Sequence, residues 1–202
     1  MQPFRAMLDF DSGSLVPAAA GFSRRLSEMI GAYADQEAAR SLLAHGDDPV
    51  IYTGYDASVP AEAGHLTFRT TIIMPGTIGT EYFMTKGHHH VRDSAEFYLG
   101  MSGSGVMLMQ SRTGEFARQD LEPRASVYVP PGWAHRTVNI GDAPLVFLAV
   151  YFGDAGHDYD SVADAGFGWR VFRGADGPEL HRMNMAGAGQ SRPAEPGADD
   201  DG

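Results

Sequence analysis

Residues 95–152 read AEFYLGMSGSGVMLMQSRTGEFARQDLEPRASVYVPPGWAHRTVNIGDAPLVFLAVYF. Short runs of β-branched, aromatic and other apolar residues alternate there with turn residues, such as SGSG at 102–105 and GD at 141–142. Runs of this length and spacing predict antiparallel strands, because no helix-length periodic segment lies between them. The stretch therefore predicts an all-β fold, either a barrel or a jelly roll.

The same texture extends outward from this stretch, beginning at residue 49. Each run is bounded by Gly, Pro, Asn, Asp or Ser, which punctuate strands. The predicted strands are Val50–Tyr55, Leu66–Met74, Thr80–Met84, Ala95–Met101, Gly105–Gln110, Phe116–Leu121, Ser126–Val129, Arg136–Ile140, Leu145–Phe152 and an edge strand, Gly168–Phe172.

A helical pattern occurs only near the N-terminus. Leu26, Met29, Tyr33 and Leu42 recur at roughly three- to four-residue spacing, which predicts a short helical segment over residues 22–44. We therefore expect an all-β barrel with one helical segment before it.

Three regions follow from these patterns. Residues 1–48 are predicted to form an arm and a helix packed on the barrel, and residues 49–184 the barrel itself. Residues 185–202 are rich in Ala, Gly, Pro and Asp and have almost nothing to bury, so they are predicted to be a disordered tail.

Composition excludes several classes of protein. The 202 residues suffice for one domain with a full core, and the absence of cysteine excludes disulfides, a thiol nucleophile and cysteine-ligated metals. A formal net charge of −11 argues against a nucleic-acid partner. No run approaches the roughly 18 apolar residues of a membrane helix, so we expect a soluble cytoplasmic protein.

A histidine triplet at residues 88–90 is the strongest chemical signal. In an extended chain alternate side chains share a face, so His88 and His90 should point together and His89 away. Glu96 opens the next predicted strand, and His135 follows Pro-Pro-Gly-Trp-Ala. A histidine triplet alone can be a surface accident, but three imidazoles and a carboxylate on strands of one barrel predict a metal site.

The expected cofactor is one divalent transition metal ion per subunit. Iron(II), manganese(II), nickel(II) and zinc(II) all suit this ligand set, and iron(II) is our first expectation.

The chain resembles a known family in several motifs. TKGHHHVRDSAEFY at 85–98, VYVPPGWAHRTVNIGD at 127–142 and FLAVYFGDAGHDY at 147–159 are similar to the cupin-type phosphoglucose isomerases of archaea and some bacteria. The resemblance extends over residues 4–172. It implies a cupin double-stranded β-helix, usually as a homodimer, with the four residues above as metal ligands. It also implies interconversion of glucose 6-phosphate and fructose 6-phosphate, a step of glycolysis and gluconeogenesis.

The resemblance also suggests catalytic residues. Glu96 is the base that would move a proton between C1 and C2 of the sugar, although the metal itself could instead promote a hydride shift. Tyr151 is expected to donate to a substrate oxygen, and His157 to help open the ring or bind a hydroxyl. Tyr98 lies two residues after Glu96, so its side chain should point to the same face of the strand and line the pocket.

A phosphorylated sugar needs donors for its phosphate group. Thr85 and the backbone N–H of Gly87 lie beside the ligand segment, and Lys86, the only lysine, offers a positive charge. By alternation Lys86 should share a face with His88 and His90. The resemblance adds Tyr52 and Thr71 as further donors.

Two other functions fit the same ligands. A metal-dependent cupin dioxygenase also uses three histidines and a glutamate, but its pocket would be more apolar. A non-enzymatic sugar- or metal-binding cupin would keep the metal without catalysis.

Overall fold

A computed structural model describes residues 1–163 and 166–183. Its helices are α1 (Gln36–Ala44) and α2 (Asp160–Ala163), and two 3-10 turns cover Leu26–Glu28 and Ile30–Ala32. The strands are β1 (Met7–Leu8), β2 (Leu15–Val16), β3 (Ala20–Arg25), β4 (Val50–Asp56), β5 (Leu66–Ile73), β6 (Thr77–Ile78), β7 (Glu81–Tyr82), β8 (Glu96–Ser102), β9 (Gly105–Ser111), β10 (Phe116–Leu121), β11 (Ser126–Val129), β12 (Trp133–Asn139), β13 (Leu145–Phe152), β14 (Trp169–Gly174) and β15 (Gly177–Arg182).

The described residues form four antiparallel sheets, and two of them enclose most of the core. One has the order β11-β8-β13-β5-β4-β3 and the other the order β10-β9-β12. Consecutive strands cross between them, since β8 is followed by β9 in the opposite sheet and β12 by β13. Buried side chains from both sheets, among them Met107, Val138 and Phe147, belong to one apolar cluster. This topology is a jelly roll, and the cupin double-stranded β-helix implied by the resemblance is confirmed.

Most of the predicted strands are confirmed. The observed bounds of β10, β11 and β13 match the predicted ones, and β4, β5, β8 and β9 differ by one or two residues. The predicted strand Thr80–Met84 is shorter, because only Glu81–Tyr82 pairs regularly. Strand β15 was not predicted, because its sequence, GPELHR, lacks the apolar alternation that marks a half-buried strand.

The predicted helix over residues 22–44 is wrong in its first half. Residues 20–25 form strand β3, whose backbone pairs with β4 and so satisfies its hydrogen bonds in a sheet. The apolar residues Leu26, Met29 and Tyr33 are buried as expected, but two 3-10 turns bring them inward. Burial periodicity alone does not distinguish these conformations.

The three predicted regions are not delimited by the structure. The described N-terminal residues contribute a strand to the larger sheet and side chains to the core, and the division near residue 48 remains a prediction. The predicted tail, residues 185–202, lies outside the described residues. Within the described ranges, no helix is long and apolar enough to span a membrane.

Candidate metal centre and its cavity

Four side chains converge at one point inside the barrel. His88, His90, Glu96 and His135 each offer a ligand atom, and these atoms all lie within 4.8 Å of one another. His88 forms a backbone bridge with His135 on β12, and Glu96 is the first residue of β8. The cluster therefore joins both sheets of the barrel.

Glu96 lies at the centre of this cluster. Its Oε2 is 3.0 Å from Nε2 of His90 and 2.9 Å from Nε2 of His135. Burial alone would raise the pKa of Glu96, but His135 and His90 outweigh that effect and hold the pKa well below its usual range. The carboxylate is therefore ionised and available as a ligand.

Backbone carbonyls orient two of the imidazoles. Nδ1 of His90 is 2.8 Å from the carbonyl oxygen of Ser94, and Nδ1 of His135 is 3.2 Å from that of Trp133. A carbonyl only accepts, so Nδ1 carries a proton in each ring, which leaves Nε2 as the nitrogen that can bind a metal ion at the cluster.

The donor set fits a divalent metal ion. Nε2 of His88 is buried without a hydrogen-bond partner among the described residues, which is costly unless something binds there. Burial, followed by His135, lowers the pKa of His88 well below its ordinary value, so its imidazole is neutral. Three imidazole nitrogens and a carboxylate suit zinc or a first-row transition metal.

A cavity adjoins the cluster. Every residue that was predicted for the site, apart from the four proposed metal ligands, lines this cavity. These residues are Tyr52, Thr71, Thr85, Lys86, Gly87, Tyr98, Tyr151 and His157.

Strand pairing places the tyrosines beside the cluster. Tyr151 on β13 is paired in register with Glu96 on β8. Burial, followed by Glu96, raises the pKa of Tyr98 well above its ordinary value, and burial raises the pKa of Tyr151 to about 12. Both hydroxyls therefore keep their protons at neutral pH and can donate hydrogen bonds.

His157 completes the wall next to the cluster. Its ring centroid is 4.4 Å from that of His88 and 5.6 Å from that of Tyr151. Burial, followed by the charge of Arg69, lowers the pKa of His157 to about 4. The imidazole is therefore neutral near pH 7 and can donate at one nitrogen and accept at the other.

The side chain of His89 points as strand alternation predicts, but strand alternation does not apply to Lys86. His89 points away from the cluster, with its Nδ1 2.9 Å from Oγ of Ser161. Between Lys86 and His88, however, Gly87 has φ +76°, which breaks the extended geometry on which alternation rests. Lys86 is half-buried and lines the cavity, but not for the reason that the sequence suggested.

The sequence interpretation missed two polar residues of the cavity. Tyr159 stacks on His157 with ring centroids 5.9 Å apart, and it ends a motif already identified by resemblance. Arg69 lies two residues before Thr71 on β5, so the two side chains share a face of the strand, and this shared face was the signal in the sequence. Nε of Arg69 donates to Oδ1 of Asp56 at 2.6 Å.

Comparison with known proteins gives a consistent result. A family model described as Glucose-6-phosphate isomerase (GPI) matches residues 23–184. A protein of Thermococcus litoralis named Glucose-6-phosphate isomerase is 47% identical over 167 residues, which cover 82% of this chain and 87% of that protein. One of the same name from Pyrococcus horikoshii is also 47% identical, with the same coverage. Another from Sinorhizobium medicae is 39% identical over 171 residues, which are 84% of this chain and 79% of that protein.

Proposed function

The chain belongs to the glucose-6-phosphate isomerase family and interconverts glucose 6-phosphate and fructose 6-phosphate, and we propose that it does so at a divalent metal ion. His88, His90, Glu96 and His135 are the proposed ligands. The observation that carries the proposal is their convergence within 4.8 Å beside a cavity rich in hydroxyl groups.

The reaction moves hydrogen between C1 and C2 of an open-chain sugar. A divalent metal ion, when bound, supplies Lewis-acid polarisation of substrate oxygens. Glu96 is the proposed base, because its ionised carboxylate lies at the cavity wall. Its low pKa makes it a weak base, so hydride transfer between the two carbons is the alternative route.

An isotope experiment distinguishes the two routes. Proton transfer through Glu96 exposes the hydrogen to exchange, and turnover in deuterium oxide would then place deuterium on C1 or C2. A direct hydride shift would leave the product without solvent deuterium. Nuclear magnetic resonance of the product sugar phosphate measures the difference.

The tyrosines and His157 are proposed to handle the sugar oxygens. Tyr151 and Tyr98 keep their protons at neutral pH and are proposed to donate to substrate oxygens near Glu96. His157 is neutral and reaches the same region, which suits proton transfer during ring opening.

The phosphate group is proposed to lie at the other side of the cavity. Thr85, Gly87 and Lys86 offer a hydroxyl, a backbone N–H and a positive charge, and Tyr52 and Thr71 add hydroxyl groups. Such donors distinguish a phosphorylated sugar from a neutral one.

Three narrower points stay predictions. Iron(II) is the expected ion, with manganese, nickel and zinc as alternatives. A homodimer is the expected assembly, and the cytoplasm is the expected compartment.

A coupled assay tests the proposal. The protein is stripped with a chelator and reloaded with iron, manganese, nickel or zinc separately, and fructose 6-phosphate is supplied. Glucose 6-phosphate is followed with its NADP-linked dehydrogenase. We expect turnover to return with at least one metal, whereas full turnover of the stripped protein would reject the metal site. Tight metal binding without turnover would favour the dioxygenase or the binding-module function.

A further inference from the structure

Arg136 is a buried cation without an acidic partner. Its residue is only 3% exposed, and no carboxylate of the described residues lies within 4.0 Å of it. The buried acid nearby, Glu81, is already bound: Arg170 donates to it at 2.7 Å and so does the backbone N–H of Ala34. Burying a charge without an opposite charge beside it is unfavourable for folding, which suggests that Arg136 has a function at this position.

The guanidinium is held in one orientation. Nη2 donates to the carbonyl oxygen of Lys86 at 2.7 Å, and Nη1 lies 3.1 Å from Sδ of Met84. The ring of Phe167 lies against it, with 4.1 Å between the guanidinium carbon and the ring centroid. A guanidinium group keeps its proton at neutral pH, so Arg136 is a cation.

The carbonyl that Arg136 binds belongs to the same peptide unit as the Gly87 N–H. In a trans peptide the C=O and N–H bonds point in opposite directions. Fixing the Lys86 oxygen toward Arg136 therefore turns the Gly87 N–H the other way. Gly87 lines the cavity, and its N–H donates to no acceptor among the described residues.

Arg136 and Phe167 also shape the backbone at this point. Gly87 has φ +76°, and a Cβ there would lie 2.6 Å from Cε2 of Phe167 and 3.0 Å from Cβ of Arg136. The side chains of Phe167 and Arg136 thus pack tightly behind the Lys86–Gly87 peptide and leave room only for glycine at position 87.

A charged donor on a carbonyl also changes the rest of the peptide. Hydrogen bonds in series polarise one another, so the N–H of this peptide becomes a stronger donor. The unpaired positive charge behind it adds an attractive potential for a dianion in the cavity.

We propose that Arg136 is a positioning residue for phosphate recognition, holding and polarising the Lys86–Gly87 peptide so that the Gly87 N–H donates to the phosphate group of the substrate. The assignment rests on the proposed function for the substrate, but not on any choice of catalytic route. Arg136 does not itself touch the phosphate.

The test uses Arg136→Met, which removes the charge and the donors but keeps an unbranched apolar side chain. In metal-loaded protein we expect the inhibition constant for inorganic phosphate and KM for fructose 6-phosphate to rise roughly tenfold, while kcat and metal content stay within about twofold. Arg136→Lys, which keeps a charged donor, should recover part of the phosphate affinity. Arg173→Met makes the same chemical change at a half-exposed arginine and should leave both constants unchanged.

A purely structural role gives a different result. If Arg136→Met lowers the melting temperature but leaves the inhibition constant for phosphate unchanged, the proposal is overturned. If that variant fails to fold, the unchanged protein loaded with zinc provides a second test. In nuclear magnetic resonance spectra, the Gly87 amide proton is expected to shift downfield as inorganic phosphate is added. The absence of a shift rejects the proposal.

Failure of the reaction itself is distinguishable from failure of this assignment. If the unchanged protein turns over no fructose 6-phosphate with any metal, the reaction is rejected. The dissociation constant of inorganic phosphate, measured by calorimetry without turnover, then replaces the inhibition constant: a roughly tenfold rise in Arg136→Met supports the assignment, and an unchanged value overturns it.

Discussion

At the scale of single residues, adjacent histidines differ in their surroundings because of where each side chain points. His90 faces the cluster and is oriented by the Ser94 carbonyl, whereas His89 faces Ser161 on the opposite side. Of these two neighbours, only His90 is therefore a proposed metal ligand.

Replacing a proposed ligand should remove the metal. We expect His88→Ala and His135→Ala each to lower metal content to background, and isomerase activity by more than about a hundredfold, because each removes one of four ligands. Metal content is measured by mass spectrometry and activity by the coupled assay. His89→Phe is the matched control, and a loss of metal in that variant would contradict the assignment of faces.

Removing one hydroxyl should separate catalysis from metal binding. In Tyr151→Phe we expect kcat to fall roughly 10- to 100-fold with metal content unchanged, because the ring stays packed while a buried donor is lost. Steady-state kinetics with fructose 6-phosphate measure the change. Tyr128→Phe removes the same group from an exposed position and should be silent. An equally silent Tyr151→Phe would remove Tyr151 from the reaction.

At the scale of elements, the sequence predicted strands better than helices. Strand β13, LVFLAVYF, was found at its observed bounds because a continuous apolar run between turn residues has few other uses in a barrel. Residues 20–25 were missed because their conformation is decided by pairing with β4, a strand that local sequence patterns do not connect with them.

The site was predictable to the extent that it depends on local motifs. The four residues that converge and the hydroxyl groups of the cavity could be singled out from the sequence because they lie within recognisable segments. Arg69 was overlooked, although it lies two residues before Thr71 on β5 and so shares its face of the strand. The environment of Arg136 could not be predicted, because Phe167 and Met84 contact it from segments that are distant in the chain.

Helix α1 begins at a side-chain cap. Oδ1 of Asp35 accepts from the backbone N–H of Ala38 at 2.8 Å, which satisfies one free donor at the helix start. We expect Asp35→Ala to reduce the free energy of unfolding by about 1 kcal/mol, as measured by urea denaturation. Asp47→Ala removes the same charge from an exposed position beyond the helix end and is the control. Equal effects of the two would show that charge, not capping, is responsible.

At the scale of the whole molecule, the local charge of the site opposes the global one. The chain carries a formal net charge of −11, yet Arg69 and Lys86 line the cavity and Arg136 lies behind its wall. A dianionic sugar phosphate therefore meets a positive region within an acidic protein. The acidic surface limits non-specific association, while the buried cations favour the substrate.

Metal should also stabilise the fold as a whole, because its ligands come from both sheets. His135 lies on β12 and Glu96 on β8, so an ion bound between them links the two sheets only in the folded state. At a free metal concentration 1,000 times the dissociation constant, such binding contributes about 4 kcal/mol, or a melting temperature roughly 10 °C higher for a domain of this size.

Thermal unfolding of the stripped and reloaded protein measures this difference. His135→Ala should melt at the same temperature with and without metal, because it lacks a ligand that the ion needs. The surface variant Tyr128→Phe should keep the full difference. If the reloaded and stripped proteins melt together although metal content shows the ion bound, then binding does not depend on the folded barrel, and the four converging side chains are not its site.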